Sequence, residues 1–248
     1  PLQMAFDLDE LTPQELYDTI FVNGIVMVEG HRRKGLVQPV HHVPSTFTQE
    51  RIKVAYFSNW YNRHPVGVAF QKVFSFHDLS RFEIFCICTA ESDHSDVRRT
   101  MEESCQHFLD VHTMTTEQIV QRIVDEKIQI LVDMNGLFEM NRMDVLANKP
   151  APIQVHWHAF PHSVPLPFMD YYIGDLVATP LEARHLFAEK MVYLKGTYLV
   201  NSHRHLGFDP VKENNKTLAD FGLPEDKFIF ANVNNFGKAT PRMFDRWM

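Results

Sequence analysis

From residue 51 onward, short runs of almost continuous apolar residues alternate with segments whose apolar positions recur every three or four residues. The continuous runs, at 52–57, 82–89, 108–111, 128–133, 153–157, 171–173 and 191–193, predict short buried strands. The periodic segments predict helices over 66–76, 96–105, 141–147 and from 180 to about 188. One further helix is capped by Thr115 or Thr116 and turns Ile119, Ile123 and Val124 inward. Strands that are apolar on both faces, each followed by a helix, predict a parallel sheet covered on both sides. The expected fold is therefore α/β, a Rossmann-like lobe over residues 51–205.

Residues 1–50 read differently. Leu11-Thr12-Pro13 opens a helix, with Thr12 as cap, and Leu16, Ile20, Val26 and Val28 supply its packing face. It is expected to end near Gly24 or Gly30. The basic cluster His31-Arg32-Arg33-Lys34 then reads as a solvated linker, followed by an irregular stretch over 38–48. Beyond the lobe, 206–248 reads as a crossing segment and the start of a second lobe, with a buried strand at 228–232 and a helix from Pro241. The chain starts at Pro1, so a natural start upstream is expected.

Charge and composition narrow the function classes. The 24 basic and 31 acidic residues give a net charge of −7, which provides no basic footprint for nucleic acid. No segment approaches the roughly 20 apolar residues of a membrane span, and no signal peptide is visible. Cys86 and Cys88 lie in an apolar run and read as buried thiols, which points to a cytoplasmic or nuclear location.

In an open parallel sheet, ligands bind beyond the carboxyl ends of the strands. The residues expected on that rim are Ser58, Asn59 and His64; Thr89 and Glu91; Asp133, Asn135 and Gly136; His158, His162 and Ser163; and Asp175. None of the ten glycines forms a G-x-G, which excludes a dinucleotide fingerprint and a Walker loop. There is no G-x-S-x-G, H-E-x-x-H or C-x-x-C. Strand alternation sends His156 and His158 to one side and leaves His162 beyond Pro161, so no metal site is expected. His64, between the first strand and its helix, reads either as an imidazole that orients or deprotonates a hydroxyl, or as a loop-ordering cap. Asp133 reads either as a catalytic carboxylate or as a cap of the turn that follows it.

Several segments carry a family resemblance, in order along the chain. Arg51-Ile52-Lys53-Val54-Ala55-Tyr56-Phe57-Ser58 with Asn62-Arg63-His64-Pro65, and Ile130-Leu131-Val132-Asp133-Met134-Asn135-Gly136, come first. Pro150-Ala151-Pro152-Ile153-Gln154-Val155-His156-Trp157, Phe168-Met169-Asp170-Tyr171-Tyr172-Ile173, and Asn234-Asn235-Phe236 with Lys238 and Pro241 follow. Together they resemble the catalytic region of the O-GlcNAc transferase family, which includes the SPINDLY-type protein O-fucosyltransferases. The resemblance implies the N-terminal lobe of a GT-B glycosyltransferase, preceded by a tetratricopeptide array. It implies metal-independent, inverting transfer of a sugar from a UDP-sugar donor, held mainly by a second lobe, to Ser or Thr of intracellular protein acceptors. His64 and Asp133 are then the catalytic candidates. Asn135, Gly136, Phe160, Pro161, His162 and Ser163 are the substrate-binding ones.

The same comparison supports an alternative. Leu137-Phe138 stand where the family carries His or Tyr followed by Thr. Ala159, His162 and Pro165 stand where its sugar-facing loop carries glycines, which obstructs close backbone approach. A lobe retained as a non-catalytic scaffold or partner-binding module would tolerate both changes.

Overall fold

A computed structural model describes residues 11–40, 51–207, 216–232 and 241–248. Its centre is a seven-stranded, wholly parallel sheet. In chain order the strands are β1 (Ile52–Ser58), β2 (Phe82–Cys88), β3 (His107–Asp110), β4 (Ile130–Asp133), β5 (Ile153–His156), β6 (Tyr171–Asp175) and β7 (Lys190–Leu194). They lie in the order β3-β2-β1-β4-β5-β6-β7. The chain winds outward from β1 in one direction, then returns past it to build the other half. This reversal sits between β1 and β4, which pair from Val54 with Ile130 to Phe57 with Asp133. The strand ends Ser58 and Asp133 therefore flank the point where a crevice opens.

The helices between strands are α2 (Pro65–Phe70), α3 (Asp96–Ser104), α4 (Thr116–Asp125) and α5 (Met143–Leu146). Two buried clusters, one on each face of the sheet, form the core. One gathers Ala55, Phe57, Ile87, Leu131, Ile119, Ile123 and Phe160. The other gathers Val54, Tyr56, Cys86, Val132, Phe70, Met101 and Trp157. Alternate residues of β1 feed opposite clusters, as the two-residue period of a strand requires. On α4 the Thr115 hydroxyl accepts from the Gln118 amide while the Gln118 side chain returns to the Thr115 amide, a complete capping box.

The preceding helix, α1 (Pro13–Arg33), is capped by Thr12 as expected but runs through both glycines. Gly24 lies against Leu166, where an added Cβ would sit 3.2 Å from a leucine methyl, so the glycine serves close packing rather than termination. His31, Arg32 and Arg33 form the last turn of this helix, where cations complement its carboxyl-end dipole; they are not part of a linker.

Four further expectations need correction. The helix over 66–76 is broken into α2 and a 3₁₀ turn (Val73–Phe76), and the segment after Pro180 is also 3₁₀, Leu181–Leu186. Residues 228–232 form no strand: Phe228 and Phe230 are 83% and 92% exposed, because among the described residues no neighbouring strand or layer covers them. Cys86 is not a thiol. It faces the end of α3 and is paired with Cys105 in a disulfide, while Cys88 is free and buried. The last helix, α6 (Pro241–Trp247), lies where expected. Residues 41–50 and the motif residues Asn234, Asn235, Phe236 and Lys238 lie outside the described residues.

Candidate functional site

The site is built on the ends of β1, β4 and β5. After β4 the chain turns sharply. Asp133 is buried, and its carboxylate accepts from the backbone amides of Asn135 (3.1 Å) and Gly136 (2.8 Å). This is the turn cap, the second of the two roles open to Asp133 in the sequence. The turn demands φ +57° at Gly136, and a Cβ there would fall 2.5 Å from the Phe160 Cβ. The turn after β4 and the loop after β5 therefore pack backbone against ring.

His156, at the end of β5, ties the two segments together. Its Nδ1 lies 3.3 Å from Asp133 Oδ2 and its Nε2 lies 2.8 Å from the Phe160 carbonyl. Both partners are acceptors, so both ring nitrogens are called on to donate. Burial by itself opposes a charged ring. The hydrogen bond and charge of Asp133, aided by the Phe160 carbonyl, outweigh it and raise the pKa of His156 above its ordinary value.

Asn135 links this turn to β1. Its Oδ1 accepts from the Ser58 hydroxyl (3.0 Å) and the Asn59 amide (3.3 Å). A backbone N–H can only donate, so the orientation of this amide is fixed and Nδ2 is its donor end. Nδ2 is buried and has no partner among the described residues. Ser58 Oγ in turn accepts from the Trp60 amide at 3.0 Å. His64 follows as the N-cap of α2, its Nδ1 accepting from the Val66 amide at 3.3 Å. Its ring is stacked on Trp60, with centroids 3.9 Å apart, and burial holds its pKa below the usual histidine value.

The remaining predicted residues occupy the loop after β5. Phe160 is fully buried. Pro161, His162 and Ser163 line a cavity of about 320 Å³ against Leu16, Tyr17 and Ile20 of α1. Burial, and then the charge of nearby His156, lower the pKa of His162. The Ser163 hydroxyl donates to Glu189 Oε2 at 2.6 Å. Asp133, Asn135, Gly136 and Phe160 thus form one contiguous unit, joined through Ser58 and Trp60 to His64, whereas Ser163 turns toward Glu189.

His156 and His158 do not share a side. The strand ends at His156, and φ +88° at His158 breaks the alternation. His156 packs on Phe160 and Tyr172, His158 on Phe70 and Trp157. Among the described residues no three His, Cys, Asp or Glu side chains are arranged to hold a metal ion. Glu189 and Trp60 were not singled out in the sequence. A lone glutamate at a strand start and one aromatic in a loop carry no local pattern that would mark them.

The profile of Glycosyl transferase family 41 matches residues 36–216. A probable UDP-N-acetylglucosamine–peptide N-acetylglucosaminyltransferase, SEC of Arabidopsis thaliana, is 35% identical over 199 residues, covering 80% of this chain and 20% of that protein. The UDP-N-acetylglucosamine–peptide N-acetylglucosaminyltransferase of Caenorhabditis elegans is 32% identical over 173 residues, covering 68% of this chain and 15% of that protein. The chain thus spans about a fifth or less of the length of these relatives. The solved structure of a K341M mutant of Thermobaculum terrenum O-GlcNAc transferase shares the fold, with a TM-score of 0.67 and 24% identity. That match covers 79% of this chain and 37% of the solved one, so the sheet described above corresponds to part of a larger enzyme fold. This chain belongs to Glycosyl transferase family 41.

Proposed function

We propose that this chain is the N-terminal catalytic lobe of an enzyme that transfers N-acetylglucosamine from UDP-N-acetylglucosamine to Ser or Thr of protein acceptors. The observation that carries the reading is the placement of His64 on the carboxyl rim of the sheet, joined through Trp60 and Ser58 to Asn135. Ligands of open parallel sheets are held on this rim. In the proposed reaction the acceptor oxygen bonds to the anomeric carbon as the bond from that carbon to the β-phosphate oxygen breaks. Configuration inverts, UDP departs, and the proton of the acceptor hydroxyl leaves on a phosphate oxygen of UDP. His64 meets the acceptor hydroxyl. Asn135 Nδ2 is an unspent donor for a sugar oxygen, and Gly136 and Phe160 shape the wall beside it. Asp133 acts by fixing this turn. Stabilisation of the leaving diphosphate is assigned to the second lobe, and no metal is assigned a role.

The test is transfer of labelled sugar by the full-length protein. His64→Ala should lower the rate by at least about 100-fold, the scale of a lost positioned hydrogen-bond donor. Unchanged transfer would remove His64 from the reaction. Transfer in the presence of EDTA should be undiminished; its loss would overturn the metal-free assignment.

A second reading, the non-catalytic scaffold, is favoured by the Ser163–Glu189 bond, which occupies the one hydroxyl of the loop after β5. It predicts no binding of UDP-N-acetylglucosamine by the full-length protein. The compartment we assign is the cytoplasm or nucleus, where such acceptors reside. Among the described residues no helix is long and apolar enough to cross a membrane. The Cys86–Cys105 pair is the feature at odds with a reducing compartment. Thiol labelling in freshly lysed cells decides between them, since three labelled cysteines require a reducing site.

A further inference from the structure

Trp60 lies in the loop between β1 and α2 and is held there from three directions. Its amide donates to Ser58 Oγ at 3.0 Å. Its neighbour Tyr61 is buried and donates its hydroxyl to the Tyr56 carbonyl at 2.8 Å. The first turn of α2 presses directly on the loop at Gly67, where a Cβ would fall 2.1 Å from the Asn62 carbonyl oxygen and 2.6 Å from that of Trp60. Only glycine permits this approach, and the approach sets the indole against the His64 ring. The two planes are 18° apart with centroids at 3.9 Å.

We propose that Trp60 is the positioning residue for His64, holding the imidazole so that Nδ1 caps α2 and Nε2 carries the ring proton. A backbone amide can only donate, so the Nδ1 that accepts from Val66 bears a lone pair. In the neutral ring the proton is then on Nε2, which makes no hydrogen bond among the described residues. Offset stacking keeps the ring from rotating away from the cap. A ring so held donates through Nε2–H and does not take a proton there. Of the two roles open to His64, orienting the acceptor oxygen is retained and general base is excluded. The consequence for transfer rests on the reading above, but the geometry itself does not.

The experiment is NMR of the ¹⁵N-labelled chain at pH 7.5 without donor or acceptor, with the His64 signals assigned by their loss in His64→Gln. Nδ1 should resonate as a bare nitrogen and Nε2 as a protonated one, with the ring C–H signals shifted upfield by the indole. Trp60→Phe should keep the nitrogen pattern. Trp60→Ala should return the C–H signals toward those of a free histidine and move the two nitrogen shifts toward each other. A protonated Nδ1 in the natural protein, or ring signals unmoved by Trp60→Ala, would overturn the proposal. If Trp60→Ala does not fold, the natural protein and Trp60→Phe still decide it. An inactive full-length protein whose His64 gives the expected spectrum would sink the transferase reading alone.

Discussion

Glu189, the residue just before β7, holds the loop after β5 through Ser163: the serine hydroxyl donates to its carboxylate at 2.6 Å and the Val164 amide donates at 2.5 Å. Glu189 is 2% exposed, so both bonds are made away from water. Removing it strands two buried donors. Glu189→Ala should destabilise the protein by about 2–4 kcal/mol, combining lost charge-assisted bonds with the cost of unmet donors. Glu189→Gln retains one acceptor oxygen and should lose about half as much. Urea unfolding followed by far-UV circular dichroism measures both; equal midpoints for Glu189→Ala and the natural protein would show that the loop is held otherwise.

Gly136 and Phe160 make a second joint. A side chain at 136 meets both a left-handed backbone and the phenylalanine ring, so Gly136→Ala should cost roughly 2–4 kcal/mol, from αL strain and overpacking together. Only the steric part depends on Phe160. In a double-mutant cycle with Phe160→Gly, which removes the Cβ as well as the ring, the coupling between the two sites should be at least about 1 kcal/mol. A coupling near zero would mean that backbone strain alone sets the cost.

Arg98 supports the site from beneath β2. Its guanidinium is buried and reaches Glu102 (2.6 Å), Asp110 (2.7 Å) and the Cys88 sulfur (2.9 Å), with the Phe108 ring 4.5 Å away. Burial disfavours its charge, but the hydrogen bonds it donates to Glu102 and Asp110, with the charge of Glu102, outweigh that and raise its pKa further. Arg98→Met leaves the partly exposed Asp110 and Glu102 to solvent, which screens them, and should cost about 1 kcal/mol. Arg98→Lys cannot reach three directions at once and should recover only part of this. Thermal melts of the two variants rank them directly.

The strands were legible because burial on both faces of a parallel sheet writes continuous apolar runs such as 52–57 and 128–133, and β1 and β4 lie where those runs place them. Capped helices were legible for the same local reason, as Thr12 and Thr115 show. Long-range facts left weaker traces. Gly24 looked like a stop signal, yet Leu166, far along the chain, makes it a packing site. Phe228 and Phe230 have a strand's pattern but no partner layer among the described residues. At the site, the rim positions of Asn135, Gly136 and His64 followed from strand order alone. The Glu189 clamp and the Trp60 stack arise where loops meet, and no sequence period encodes such a meeting.

His158 gives the stability of this lobe a predictable pH dependence. Burial lowers its pKa to about 4, because the folded chain resists charging a ring packed on Phe70 and Trp157. The unfolded chain protonates the same ring near pH 6.5. Between these values the unfolded state binds the extra proton, so the stabilisation is complete above pH 6.5 and is lost as pH falls toward 4, by about 3 kcal/mol. His156 has the opposite sign. Its raised pKa makes its contribution full below pH 6.5 and lost only as pH rises through the folded value, so it does not cause the acid loss. His162 and His77, both lowered by burial, add to the acid loss in the same direction as His158. Asn tolerates the positive φ at this position, so His158→Asn isolates the titration from the backbone. Unfolding free energies between pH 7.5 and 4.5, at fixed ionic strength, should fall less steeply in His158→Asn than in the natural protein. Parallel curves would show that His158 titrates alike folded and unfolded, and that the packing of its ring on Phe70 does not exclude the charged form.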